Sequence, residues 1–130
     1  KLRNSIVQIS QGRQPCWKLN AHIGNDKLAY RFQKTGRTDW YYRVLQGGEI
    51  SVGDNLVLVE RPNEIWPLNK LIAARFSRNI SPEDASALAT LPHLAQSRRE
   101  VFEKKTDRFY REDTSVRLGH STREFESEIG

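Results

Sequence analysis

Ser5-Ile6-Val7-Gln8-Ile9-Ser10-Gln11-Gly12-Arg13-Gln14-Pro15-Cys16-Trp17-Lys18-Leu19-Asn20 decides how the first half of this chain is read. Its opening six residues are rich in β-branched side chains, which favours a short strand. Gln11-Gly12 breaks the run, and Pro15 has no N–H to give a ladder, so Cys16 is expected just beyond the strand end. Loops at strand ends are where scaffolds commonly carry functional groups. The next β signal is Trp40-Tyr41-Tyr42-Arg43-Val44-Leu45. Trp40, Tyr42 and Val44 share one face of that strand, and Trp40 is expected in the core. Between the two strands, Asp26 to Gln33 reads as a short helix, capped by Asn25 or Asp26 and ended by Gly36.

Gly47-Gly48 and Val52-Gly53-Asp54-Asn55 mark turns. Leu56-Val57-Leu58-Val59 is unbroken apolar sequence and predicts a strand buried on both faces. Residues 1–62 therefore read as mainly β. After Arg61-Pro62 the period changes. Leu68, Leu71, Ile72 and Phe76 repeat at helical spacing behind Pro67. Ser81-Pro82-Glu83-Asp84 is a helix start, with a serine cap, proline at the first position and acids near the positive end of the dipole. Ala85, Leu88 and Ala89 give that helix its apolar stripe, and Pro92 closes it. A third helix over Gln96 to Thr106 turns Val101 and Phe102 inward. Residues 63–112 thus predict a three-helix bundle, none of whose helices is long enough to be stable alone. Residues 113–130 are charged and predict a loosely ordered tail.

The chain has 130 residues, the size of one ordinary domain, and no methionine. It opens on Lys1, which leads us to expect a piece of a longer protein, with part of any site upstream. No apolar run approaches the roughly 20 residues of a membrane span. One cysteine cannot form an internal disulfide, and the expected location is the cytoplasm. The formal charge of +5 is uneven. Residues 1–61 carry four Lys and six Arg against five acids, whereas residues 62–130 carry eleven cations and eleven acids. The excess sits in the half that holds Cys16; it would suit a phosphorylated cofactor, an anionic substrate or nucleic acid, but by itself it reads first as a solvated surface with scattered cations.

Cys16 stands between Arg13 and Lys18. A thiolate is a soft metal ligand that must be deprotonated to bind, and neighbouring cations favour the charged form. By its composition alone a lone cysteine reads first as a small buried hydrophobe, and it is a family resemblance that turns the reading toward a ligand. Arg13, Lys18, Arg37 and Arg43 are candidates for gripping an anion, a guanidinium bidentately and Lys as a point charge. Arg37 is the strongest, because Gly36 and Thr38 flank it with backbone and hydroxyl donors. Asn20 offers both donor and acceptor to a heterocycle edge. Trp17, Trp40, Tyr41 and Tyr42 are aromatics that either stack on a ligand or pack the core. His22, His93 and His120 show no metal-ligand spacing, so a zinc site is not expected.

Ser10 through Leu19 resembles the MOSC family, named for the C-terminal domain of molybdenum-cofactor sulfurases, and most closely its YiiM-type members. Thr35-Gly36-Arg37-Thr38-Asp39-Trp40-Tyr41-Tyr42-Arg43-Val44-Leu45 is similar to the family's Gly-Arg-Thr-Gly-Trp-Tyr stretch. Gly48-Glu49-Ile50, Gly53-Asp54 and Glu60-Arg61-Pro62 are similar to the hairpin after it, and the helical part to the three-helix domain that ends YiiM-type proteins. The family usually carries Pro in place of Gly12 and Gly in place of Asp39. Its earlier β segments, with a His-Gly-Gly motif, have no counterpart here. The resemblance implies a mixed, mainly β architecture: a portion of a MOSC-like β-barrel followed by the small three-helix bundle. It implies a molybdenum cofactor (molybdopterin), with Cys16 as catalytic residue and thiolate ligand to molybdenum, and Arg13, Lys18, Asn20, Arg37 and Thr38 as cofactor-binding residues. It implies reduction of N-hydroxylated compounds such as 6-hydroxylaminopurine, with electrons from a flavin or iron–sulfur reductase. Binding of pyridoxal phosphate is a further expectation carried by the resemblance.

Two other readings stay open. One is a non-catalytic module that binds or carries the anionic pterin cofactor, or nucleic acid. The helical half lacks a basic stripe, which argues against nucleic acid. The other is an incomplete domain whose cofactor site lacks its second side.

Overall fold

β1 (Ile6–Gly12) and β2 (Trp40–Gln46) pair antiparallel in the computed structural model, which describes residues 1–119. Ile9 lies opposite Tyr42 and Gly12 opposite Trp40, and a bulge skips Ser10 between them. The bulge has a use. Ser10 is buried, its hydroxyl donates to the Tyr41 carbonyl at 3.2 Å, and its own carbonyl accepts from Ala95 N at 2.9 Å. Trp40 and Tyr42 touch edge-to-face at 6.4 Å, as residues two apart on a strand should.

Two helices fill the stretch between the strands. α1 (Trp17–Ile23) is an addition to what the sequence predicts, and α2 (Leu28–Thr35) is the expected helix shifted by two residues. Gly36 ends α2 at φ 67°, the left-handed region that costs glycine little. α3 (Leu68–Phe76), α4 (Pro82–Ala89) and α5 (Gln96–Lys105) follow, close to the predicted ranges. The α4 cap is as expected: Ser81 Oγ accepts from Asp84 N at 3.0 Å, with Pro82 at the first position. Leu71, Leu88, Leu94 and Phe102 form the buried core of these three helices, with Trp66, Ile80 and Leu91 packed around it.

α3 also lies on β1. Ile72 is 4% exposed and sits so close to Gly12 that a Cβ there would come within 2.6 Å of its side chain, and this contact, with the Ser10–Ala95 bond, ties sheet to helices. β1 takes in Gln11 and ends on Gly12, two residues beyond the expected run.

Four expectations are corrected. The described residues form one two-stranded sheet and six helices, with no closed barrel among them, so a mainly β architecture is not what they show. Leu56 to Val59 is not a buried strand; these side chains are 57% to 66% exposed. Among the described residues its ties run to the chain start, through a Leu2–Leu56 bridge and two bonds between Lys1 and Val57, and leave more than half of each side chain exposed. Trp40 is 45% exposed rather than core, because the helices pack on β1 and leave β2 open. The expected loose tail begins with order: α6 (Ser115–Leu118) buries Leu118 and Ser115. The rest of that tail, His120 included, lies outside the described residues.

Candidate functional site

Pro15 ends the extended chain beyond β1, and Cys16 caps α1 with extended backbone (φ −139°, ψ 167°). Its carbonyl accepts from Leu19 N at 3.0 Å, so the first turn of α1 fixes the residue that carries the thiol. Cys16 is half-buried and unpaired. Among the described residues no three His, Cys, Asp or Glu side chains converge to cage a metal. His22 lies on the exposed side of α1, and His93 Nδ1 sits 3.2 Å from Asn63 Nδ2.

The expected cofactor residues divide into two groups. Lys18 and Arg37 are exposed, with no hydrogen bond or ion pair among the described residues. Thr38 Oγ1 is buried beside Gly12 without a hydrogen-bond partner, a hydroxyl that a nearby acceptor would satisfy. Arg13 is engaged. Its guanidinium donates to Asp39 Oδ2 at 2.9 Å and its backbone N to the Asp39 carbonyl at 2.6 Å. That hydrogen bond, with the Tyr41 charge adding, holds the guanidinium proton more firmly than usual. Arg43 donates to Gln8 Oε1 at 3.2 Å across the sheet.

Asn20 has a different task. Its amide nitrogen donates to the carbonyls of Asp26 (2.6 Å) and Leu118 (3.1 Å), and its oxygen accepts from Ala29 N at 2.7 Å. Two of these bonds join α1 to α2 and α6 and the third holds the loop after α1, so both amide hydrogens are committed within the fold. Trp17, Trp40, Tyr41 and Tyr42 all remain between 43% and 49% exposed.

Behind the cysteine lies a group that sequence reasoning missed. Assigning the Gln14 amide by its hydrogen bonds turns Oε1 toward Arg75 Nη2 (2.5 Å), Arg75 Nε (3.2 Å) and Arg98 Nη1 (3.2 Å). Arg117 donates to the Pro15 carbonyl and to Gln33 Oε1. Arg75, 4% exposed, forms a bidentate ion pair with Glu112, one bond at 2.7 Å. Burial works to raise the Glu112 carboxyl, but Arg75 outweighs it and holds the group below its ordinary value. Burial and the neighbouring Arg75 push the Lys105 ammonium down to about 8. Arg75 was legible in part, since helical spacing places it beside Leu71 and Ile72. Nothing in the sequence signals that Arg98 and Arg117 reach the same loop.

A cleft of about 1000 Å³ runs elsewhere, between α2, α3 and the segment after α5, and Cys16 does not line it.

Residues 1–57 match the family model of the MOSC domain. YflK of Bacillus subtilis, an uncharacterized protein, is 37% identical over 114 residues, covering 83% of this chain and 49% of YflK. YiiM of Escherichia coli is 38% identical over 61 residues, covering 47% of this chain and 27% of YiiM. Residues 1–57 belong to the MOSC domain family. The crystal structure of Escherichia coli YiiM superposes with a TM-score of 0.83 at 28% identity, covering 91% of this chain and 58% of YiiM. YiiM from Geobacillus stearothermophilus gives 0.74 at 34% identity, covering 78% and 52%. The YiiM likeness runs through the helices as well as the MOSC segment, since it covers nine-tenths of the chain. The chain spans about half the length of YflK and of these YiiM structures.

MOSC domains are associated with the molybdenum cofactor in general. The donor set here fits such a group. One half-buried thiol on an ordered helix cap suits a metal whose other ligands arrive with its cofactor, and the exposed Lys18 and Arg37 suit an anionic one.

Proposed function

We propose that this chain forms the cysteine side of a molybdenum-cofactor site in a reductase of N-hydroxylated compounds. The observation that carries the reading is Cys16, a single thiol fixed at the α1 cap in a segment matching the MOSC domain. The reductase class is supported by a Gibberella moniliformis protein named Reductase, 33% identical over 87 residues, covering 67% of this chain and 16% of that protein.

On this reading residues 1–62 face the cofactor and residues 63–112 support them. Cys16 would ligate molybdenum as a thiolate, with Arg37 and Lys18 drawing the cofactor's anionic part toward the loop and Thr38 offering its hydroxyl. Arg13 contributes less, because Asp39 already holds it. When bound, the cofactor supplies the two-electron reduction of the N–O bond; the chain orients it and fixes one ligand. A flavin or iron–sulfur reductase would be the electron donor. No helix of the described residues is long and apolar enough to cross a membrane. Pyridoxal phosphate gains no support from the matched family description or from this geometry.

The test is metal analysis on full-length protein from cells that make the cofactor. Cys16→Ala is expected to lose molybdenum and turnover of a hydroxylaminopurine while its melting temperature stays within a few degrees. Stoichiometric molybdenum with full turnover in Cys16→Ala would falsify the ligand role. Molybdenum bound with no turnover of any N-hydroxylated compound would instead favour a cofactor carrier.

A further inference from the structure

The two residues before Cys16 are held by three guanidiniums that come from three different helices. Arg75 of α3 and Arg98 of α5 converge on the Gln14 amide oxygen, and Arg117 of α6 donates to the Pro15 carbonyl. Two of the three are fixed in turn. Arg75 is paired bidentately with Glu112, and Arg117 also donates to Gln33 of α2 and lies 5.8 Å from the Phe76 ring centre. α6 is short, but it is anchored on the cysteine's other side. Its Leu118 carbonyl accepts from Asn20 at 3.1 Å, and Gly119 lies so near Trp17 that a Cβ would come within 2.8 Å of the Trp17 Cβ. The loop is therefore gripped at Gln14 and Pro15 before the thiol and at Trp17 and Asn20 after it.

Most buried carbonyls are satisfied by backbone N–H groups, and a charged guanidinium on one is a stronger, more directional tie. We infer that Arg117, together with Arg75 and Arg98, is a positioning group for Cys16, by which the helices after residue 67 set the direction of its thiol. The inference rests on the ligand role proposed above. It gives the helical part a task at the site without contact with cofactor or substrate: a metal ligand is useful only when its direction is fixed. Gln14 is the adaptor, since one amide oxygen receives donors from both α3 and α5.

Hydrogen exchange on the full-length protein tests this without any metal. Arg117→Ala is expected to speed exchange across residues 16–20 roughly tenfold or more, while residues 85–102 of α4 and α5 keep their rates. Arg117→Lys, which keeps a donor for Pro15, should recover part of the protection. Gln14→Leu should behave like Arg117→Ala, and Gln14→Glu, which keeps acceptors for both arginines, like the natural protein. Equal acceleration in both regions, or in neither, would overturn the positioning role. Arg117→Ala protein from cofactor-competent cells should also hold several-fold less molybdenum; undiminished loading would overturn it as well. If Cys16→Ala keeps its molybdenum, the ligand reading falls, and the exchange contrast still decides whether the loop is clamped.

Discussion

Replacing Gly12 with alanine drives a methyl carbon into the side of α3. A Cβ at residue 12 would lie 2.6 Å from Ile72 Cγ1 and 2.9 Å from Ile72 Cδ1. Carbon atoms rest about 3.5–4.0 Å apart, so strand or helix must yield by nearly an ångström. Ile72 is 4% exposed and has little room to turn aside. Over-packing of this kind costs about 1–3 kcal/mol, and the stiffer unfolded chain of alanine offsets about 0.4–1 kcal/mol. The expected net loss is about 1–2 kcal/mol. Ile72→Ala alone removes both clashing atoms and costs about 2–5 kcal/mol. On that background Gly12→Ala should be neutral or stabilising, because its methyl occupies the vacated space. The cycle then shows a coupling of about 1–2 kcal/mol. Urea denaturation of the four proteins measures it. A Gly12→Ala loss below about 0.5 kcal/mol, or the same loss on both backgrounds, would refute the claim that this contact joins the sheet to the helices.

Glu112→Gln leaves the buried Arg75 without its counter-charge and should cost about 2–4 kcal/mol, somewhat under a fully buried pair because Glu112 is partly exposed. The Glu112 carboxyl is held below its usual value of 4.5, so its contribution is full above that pH and fades as pH falls through the depressed value. Melting curves from pH 6 to 3 should thus fall more steeply for the natural protein than for Glu112→Gln; parallel curves would contradict the pairing. Lys105 titrates near 8 when folded and 10.5 when unfolded, so the unfolded chain binds more protons between those values. Stability should rise from pH 8 to 10.5, and Lys105→Met should flatten the rise; an unchanged slope in the variant would remove the assignment.

Where local chemistry decides the structure, the sequence was readable. Ser81-Pro82 starts α4 because cap and proline act within one turn, and Gly36 ends α2 because few other residues tolerate its backbone. β1 and β2 follow from their β-branched and aromatic content. α1 escaped notice because Trp17 to Ile23 has no apolar stripe and begins just after a proline. Its support comes from Asn20, whose partners lie as far away as Leu118. Leu56 to Val59 misled for the opposite reason: apolar character reports a preference for burial, while burial needs a neighbour that composition does not name. Cys16 could be singled out from its residue type and surroundings. The clamp on its loop could not, since Arg98 and Arg117 are separated from Gln14 by more than eighty residues and no periodicity links them. Gly12 was read as a strand break, but its meaning is the approach of Ile72.

β2 deserves a last consideration as a surface. All seven of its residues are exposed, Val44 and Leu45 at more than half, and among the described residues only one edge of the strand is bonded. The free edge is a row of amide and carbonyl groups that recognises another extended backbone almost without regard to its side chains. Beside it, aromatic and aliphatic groups supply the adhesion that such pairing needs. Handled by itself, this stretch would limit solubility before it limited melting temperature. The choice of salt, concentration and chain ends would then govern its behaviour in the tube more than the buried core does.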